Sequence, residues 1–393
     1  MGMGVASGLG LALVIQALLL LLFSLRWTAL RRSTDRWPLT PEGGWPELEV
    51  LLCLRGVDPS LQGLMAALAA QRYPGRWHLQ MVVDRETDPA WPLVQPWLEA
   101  SGAGWSTIRC SALQERPLQG SLKCAALRQA CAGVKPSTEL VVLLDADASL
   151  AADGLARLAR ACWRPGVGAV SGNRWYAPSG AGLLSWTRAV WGAAALVLMT
   201  LLQIPWGGTL AVRRSVVEAG DWIKLLERGL CEDTGLLQPL RQQGLRYEPR
   251  PELLVVERGD VKRWGGLQRW ISRQMLTARL HHPAWPLVLL YGLGSTAVLV
   301  LLLGALLAGA VQPVVFYELG CWILLLLLQR QVIGVWPDRR EAGGWGLALL
   351  PGQAIHTLTT LGAWGQRRVE WRGVHYAVTE HPAGVRRLNE EID

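Results

Sequence analysis

Long apolar runs occupy both ends of the chain, and short alternating apolar and polar blocks lie between them. Leu9 to Leu25 holds Gln16 as its only strongly polar residue, a length that just spans a bilayer. Arg26, Arg31, Arg32 and Arg36 follow at once, which predicts an uncleaved anchor over residues 1–30 with the next segment on the cytoplasmic side. Pro286 to Val311 and Pro313 to Trp336, broken at Gln312-Pro313, predict a hairpin of spanning helices. Glu318 within it is costly in lipid, so it is expected to face protein or the membrane surface. Gly343 to Trp364, rich in Gly and interrupted by Pro351 and His356, reads as a third span, a re-entrant segment or an interfacial helix. The C-terminal membrane region is therefore expected at 286–364, followed by a cytosolic tail at 365–393.

Residues 46–280 alternate differently. Glu49 to Leu54, Leu79 to Val83 and Leu140 to Leu144 read as buried strands, and Leu61 to Arg72 and Ser121 to Cys131 as helices. Strands separated by helices predict an α/β domain with a mostly parallel sheet flanked by helices. Arg188 to Pro205 is apolar enough to pass for another span. A crossing there would put Asp145 and Asp233 on opposite sides of the membrane, so 188–205 is expected to pack in the domain or lie on the membrane surface, anchored by Trp186, Trp191 and Trp206.

Composition agrees with membrane residence: 51% of the residues are hydrophobic and mean hydropathy is positive. The net charge of +8 suits attraction to anionic headgroups. No nucleic-acid module is visible, so no nucleic-acid partner is expected. Seven Cys without CxxC spacing argue against a disulfide framework or a zinc site and fit a reducing compartment. Arg greatly outnumbers Lys and the chain has two Asn, a bias of GC-rich coding that points to a bacterial inner membrane.

The candidate chemistry starts at Asp145-Ala-Asp147, directly after the strand Leu140–Leu144. Carboxylates at i and i+2 on extended backbone point the same way. The carboxyl end of a strand in an open α/β sheet is where ligands bind. Mg²⁺ or Mn²⁺ held by one or two carboxylates completes its shell with water and substrate phosphates, so a diphosphate substrate is implied. Asp84 and Asp88 follow the second strand, Glu232-Asp233 precedes the helical pattern of Leu236, Leu237 and Leu240, and Gln268-Arg269-Trp270 sits on a basic, Trp-rich stretch. Each has a plainer reading. Asp84 and Asp88 suit a turn before Pro89, Glu232-Asp233 suits a helix cap, Gln268-Arg269-Trp270 suits a membrane-surface belt and Lys123 suits a solvated helix face.

Taken together, these pieces resemble the family 2 glycosyltransferases of GT-A fold, within them the ceramide glucosyltransferase and hopanoid-associated branch. The resemblance covers about residues 46–376. It is carried by Leu54-Arg-Gly-Val-Asp-Pro-Ser-Leu61, Val82-Val-Asp-Arg-Glu-Thr-Asp-Pro-Ala90, Gly120-Ser-Leu-Lys123, Leu144-Asp-Ala-Asp147, Trp206-Gly-Gly-Thr-Leu-Ala-Val-Arg213, Cys231-Glu-Asp233, Gln268-Arg-Trp270 and Glu370-Trp-Arg-Gly-Val-His-Tyr376. It implies that Asp84 contacts uridine, that Lys123 neighbours the nucleotide, and that Asp145 and Asp147 hold the nucleotide and a divalent metal. Asp233, beside Glu232, would be the catalytic base, and Gln268, Arg269 and Trp270 would grip the diphosphate or acceptor. The family's last motif opens with Gln or Arg three residues before its Arg-Trp, where this chain has Gly266. The implied activity is inverting, metal-dependent transfer of a hexose, glucose on the branch resemblance, from a UDP-sugar to a hydroxyl of a membrane lipid. A processive polysaccharide synthase, a polyprenyl-phosphate glycosyltransferase and an inactive adaptor of the same fold are the alternatives.

Overall fold

The computed structural model describes residues 2–99, 103–180 and 182–390; residue 1 of the expected anchor and 391–393 of the expected tail fall outside them. Helix α1 (Gly2–Thr34) leads to β1 (Leu48–Leu54), α2 (Leu61–Ala69), β2 (Trp77–Val83), α3 (Trp91–Leu98), β3 (Thr107–Ala112), α4 (Leu122–Ala132), β4 (Leu140–Leu144), α5 (Gly154–Cys162) and β5 (Val167–Ser171). Next come β6 (Arg174–Tyr176), α6 (Leu183–Leu202), β7 (Thr209–Arg213), α7 (Arg214–Glu218), α8 (Asp221–Leu226), α9 (Leu237–Gln242), β8 (Arg246–Pro249) and β9 (Val255–Glu257). Helices α10 (Trp264–His281), α11 (Trp285–Leu307), α12 (Val311–Ile333) and α13 (Arg339–Gly365) precede β10 (Arg368–Trp371), β11 (Val374–Glu380) and β12 (Ala383–Glu390). The expected helix from Leu61 to Arg72 stops at Ala69, because Ala70 already leaves helical geometry.

Seven strands form one sheet in the order β3-β2-β1-β4-β7-β5-β8, with β7 antiparallel to both its neighbours and every other pairing parallel. Alternation sends Val50, Leu52 and Leu54 of β1 against α2 and α5, and Leu51 against α4 on the opposite face. Both faces are therefore covered, which is why the strands read as continuous apolar runs rather than alternating ones. Leu54 pairs with Val83, so Arg55 and Asp84 leave the sheet together, and Leu144 pairs with Thr209, so Asp145 emerges beside Gly208. The reversed β7 brings its N-terminal end, not its C-terminal end, to that edge.

Among the described residues four helices are long and apolar enough to cross a membrane: α1, α6, α11 and α12. For α6 the sheet excludes a crossing. It connects β5 to β7 by way of β6, and β5 and β7 are hydrogen-bonded neighbours, with Val170 opposite Ala211. Helix α13 also returns to the body it leaves. Near its start Arg340 donates to the Pro178 carbonyl at 2.8 Å, and at its end Arg279 of α10 donates to the Trp364 carbonyl at 2.8 Å. The segment 343–364 is thus part of one continuous helix whose two ends both rest on that body. It packs along α6 so closely that a Cβ on Gly344 would run into the Trp186 ring. Glu318 faces protein, accepting from Gln353 at 3.2 Å.

The residues expected only as a tail form a three-stranded antiparallel sheet, β10-β11-β12. Its backbone docks on the domain: Gly120 N–H donates to the Val385 carbonyl at 2.9 Å and Val385 N–H to that of Arg228 at 2.8 Å.

At the other end α1 is fastened by Arg250, whose side chain is fully buried. The guanidinium donates to the Leu30 carbonyl at 2.9 Å, Thr34 Oγ1 at 2.6 Å and Glu252 at 2.8 Å, and stacks 4.1 Å from the Trp37 ring centre. Arg250→Ala leaves these acceptors in a dry junction, a loss of about 3–5 kcal/mol. The prediction is a melting temperature several degrees lower in detergent, only partly recovered by Arg250→Lys, which lacks the planar fork. An unchanged melting curve for Arg250→Ala would show that the junction contributes nothing.

Candidate active site

The carboxyl edge of the sheet gathers the acidic side chains. Asp84, at the end of β2, is 6% exposed and clamped by Arg55 at 2.5 Å and Arg116 at 2.9 Å. Asp88 is the turn former of the two, accepting the N–H groups of Gly56 at 3.0 Å and Ala90 at 2.8 Å. Asp145 and Asp147 follow β4. Lys123, one residue inside α4 whose N-cap is Ser121, donates from Nζ to Asp145 Oδ1 and Glu232 Oε1, each at 2.7 Å. The solvated-face reading of Lys123 is therefore wrong, and the α4 start places it where two separate carboxylates meet.

Glu232 and Asp233 do not cap α9, whose N-cap position is Leu236. Glu232 is 2% exposed, and its Oε2 is buried without a hydrogen-bond partner among the described residues. Asp233 accepts from the Gly207 N–H at 2.7 Å and the Thr234 N–H at 2.6 Å. Gly207 is required by this approach, since a Cβ there would collide with the Glu232 carboxylate. Burial pushes the Glu232 carboxyl up; Lys123 opposes this, and Asp233 and Asp145 add to it. Burial also raises Asp145, but Lys123 and Arg174 reverse the shift and hold it well below the usual carboxylate range.

Arg174 of β6 carried no signal in the sequence, yet it links the Asp-Ala-Asp turn to the β6–β9 ribbon. Its guanidinium lies 2.9 Å from Asp147, 3.7 Å from Asp145 and 3.2 Å from Glu257, and 4.7 Å over the Trp206 ring.

Most of these groups line one cavity of about 650 Å³; Asp88, Arg116 and Glu257 stand behind its wall. Its polar end holds Asp84, Lys123, Asp145, Asp147, Glu232 and Asp233, and it continues past Trp191 and Leu198 of α6 to Leu20 of α1, Tyr291 of α11 and Leu324 of α12. On α10 the lining residues are Trp270, Arg273, Gln274, Met275, Thr277 and Ala278, most of them on one face at helical spacing. Trp270 packs edge-on between Tyr176 and Trp191, with ring centres at 5.6 and 5.3 Å. Gln268 and Arg269 are exposed and outside the lining, so the expectation that they face the donor is not met. The helix turns about 100° per residue, so Gln268 points away from Trp270, whereas Arg269 shares a side with Arg273 and lies outside the lining because it sits one turn nearer the start of α10. The tail sheet adds Trp371, Arg372 and Tyr376 to the wall.

Among the described residues no group of three or more His, Cys, Asp or Glu forms a complete metal cage. Asp147 is nonetheless 38% exposed toward the cavity, with Oδ1 engaged by Arg174, beside the lower-lying Asp145. Hard carboxylate donors, too few to enclose an ion, suit Mg²⁺ or Mn²⁺ whose remaining ligands are phosphate oxygens and water.

A mannosyltransferase from Pyrobaculum calidifontis, PcManGT, solved with GDP-Man and Mn²⁺, superposes with a TM-score of 0.59 at 19% identity, covering 93% of this chain and 99% of that one. Glucosyl-3-phosphoglycerate synthase from Mycobacterium tuberculosis, solved with Mn²⁺ and UDP-glucose, gives a TM-score of 0.38 at 18% identity over 59% of this chain and 77% of that one. No curated protein matches the sequence. The architecture is that of a GT-A glycosyltransferase with added apolar helices. The family model for "Glycosyl transferase family 21" matches residues 11–383, from the first apolar helix through the tail sheet. Where the motifs alone pointed to family 2, the chain belongs to glycosyl transferase family 21 and is a glycosyltransferase.

Proposed function

We propose that this enzyme transfers a hexose, glucose, from a UDP-sugar to the hydroxyl of a membrane lipid, with inversion at the anomeric carbon and a divalent metal as cofactor. The observation that carries this reading is the cavity, which joins the carboxylates to the apolar helices α1, α6, α11 and α12 without a break. A soluble acceptor has no use for that second half. The basic residues Arg26, Arg31 and Arg32 at the end of α1 and Arg339 and Arg340 at the start of α13 lie at the catalytic side, which favours a cytoplasmic active site. UDP and glucose rest on the motif resemblance. GDP-mannose, the donor bound to the Pyrobaculum enzyme, is the comparison arm of any assay.

In the reaction the acceptor oxygen attacks the anomeric carbon as the bond to the diphosphate breaks. The electron pair leaves with the phosphate oxygen, and Asp233 takes the acceptor proton. Asp233 suits this because two backbone N–H groups hold its carboxylate against the cavity. Lys123, fixed by Asp145 and Glu232, keeps the neighbouring carboxylates from repelling it. A divalent ion on Asp147 and Asp145 would neutralise charge that develops on the departing diphosphate. Fixed cations aimed at developing charge are commonly the largest catalytic effect in such sites.

Three outcomes test the reading in membranes given labelled UDP-glucose or GDP-mannose. Asp233→Asn is expected to lower transfer by about 10²- to 10⁴-fold while nucleotide binding persists. Chelation is expected to stop turnover, and Mn²⁺ or Mg²⁺ to restore it. The labelled product should partition as a single-sugar lipid; a growing polymer, or label released only to water, would overturn the lipid-acceptor reading. A further prediction concerns stability. A carboxyl whose folded pKa is raised stabilises most below its unfolded pKa, and this contribution is lost as pH rises through the folded pKa. For Glu232 the window runs from the ordinary carboxylate value up to about 7. The melting temperature of Glu232→Gln should accordingly change less between pH 5 and 7 than that of the wild type, and identical slopes would contradict it.

A further inference from the structure

Five Lys and Arg side chains line the cavity: Arg55, Lys123, Arg174, Arg273 and Arg372. Four have carboxylate partners, Asp84 for Arg55, Asp145 and Glu232 for Lys123, Asp147 and Glu257 for Arg174, and Asp58 for Arg372 at 3.0 Å. Arg273 differs. Among the described residues its guanidinium makes no hydrogen bond and no ion pair; it lies over the Trp371 ring, 4.5 Å from Cζ to the ring centre, and feels the charge of Asp145 from beyond ion-pair distance. Lys123 Nζ lies 5.9 Å from the centre of that same ring, which puts Arg273 next to the group that holds Asp145 and Glu232. A largely enclosed guanidinium that keeps five donors unspent beside a site for a charged substrate is an anion receptor in waiting.

We infer that Arg273 grips the diphosphate of the donor, in place of the motif's Arg269, and that Trp371 of the tail sheet positions it. The inference rests on the nucleotide-sugar reading and names one contact within it. Arg269 is exposed outside the cavity, whereas Arg273, one helical turn on, shares the lining face with Trp270. The planar fork of Arg binds phosphate oxygens through two parallel N–H groups, and its face stacks on indole at the same time. As the sugar leaves, negative charge grows on the diphosphate oxygen that was bonded to it. A guanidinium held against that oxygen needs no proton transfer to stabilise it. Trp371 lies at the end of β10, and the carbonyl of the next residue, Arg372, accepts from Arg55 Nε at 2.9 Å. The tail strand is thereby registered against the β1 end of the sheet as well as against Arg273.

Titration of the full-length protein in detergent with UDP and with uridine, paralleled by GDP and guanosine, isolates the phosphate contribution. Arg273→Gln is expected to weaken diphosphate binding about ten-fold or more while nucleoside binding stays as in the wild type, which also reports that the variant is folded. Arg273→Lys should recover part of the loss, and Arg269→Gln should bind both ligands like the wild type. Trp371→Leu should weaken diphosphate binding less than Arg273→Gln, and add nothing to it in the double variant. Unaltered diphosphate affinity in Arg273→Gln, an equal loss of nucleoside and diphosphate, or a larger loss in Arg269→Gln would each overturn the assignment. A wild type that prefers neither diphosphate over its nucleoside would instead bring down the nucleotide-sugar reading itself, and this inference with it.

Discussion

One ammonium group holds the acidic centre together. Asp145, Asp147, Glu232 and Asp233 come from two distant parts of the chain and face one enclosed space, where like charges repel strongly. Lys123 Nζ, at 2.7 Å from one carboxylate of each pair, is the bond between those parts. Its affinity for the proton, lowered by burial, is raised well above the ordinary value by Asp145 and Glu232, so it stays charged. Burying such a group costs several kcal/mol, and only close partners on both sides make it tolerable. The arrangement is asymmetric. Glu232 is almost wholly buried at the cavity wall, while Asp145 and Asp147 are more open, with Arg174 across them.

That electrostatic centre stands on a platform that is continuous with the sheet. Arg250 and Arg164 lie on Trp37, at 4.1 and 3.8 Å, and Arg250 also ties down the last turn of α1, so the first apolar helix is part of the catalytic body rather than a tether. The basic C-terminal turn of α1 follows the same logic, since cations near exposed helix carbonyls are favourable.

Much of this was legible from apolar patterning. The strand Leu140–Leu144 has the limits expected, the anchor and hairpin are helices, and the argument that 188–205 does not separate Asp145 from Asp233 agrees with α6 lying between hydrogen-bonded strands. Legibility fails where geometry depends on rotation or on distant partners. Gln268, Arg269 and Trp270 are neighbours in a linear motif, and only the rotation of α10 for Gln268, and the depth along it for Arg269, leaves them outside the cavity. Arg174 sits on a three-residue strand with no periodicity to announce it, and its partners lie 27 and 83 positions away in sequence. The tail looked like solvent-facing chain because its strands alternate over a small sheet whose buried face is finished by the domain, through Val369, Tyr376 and Val385. Helix α13 was ambiguous for a related reason: Gly344 and Gly352 serve close packing on α6, which a hydropathy profile scores as weakness.

Helices α6 and α13 leave and rejoin the same face of the molecule and pack along each other there. Lifting a lipid into water exposes its chains at about 0.8 kcal/mol per methylene, a barrier that grows prohibitive for two long chains. In the proposed reaction a cavity that runs on among apolar helices would let the acceptor keep its chains in its leaflet, and its encounter with the sugar would then be set by two-dimensional diffusion and by how crowded that leaflet is.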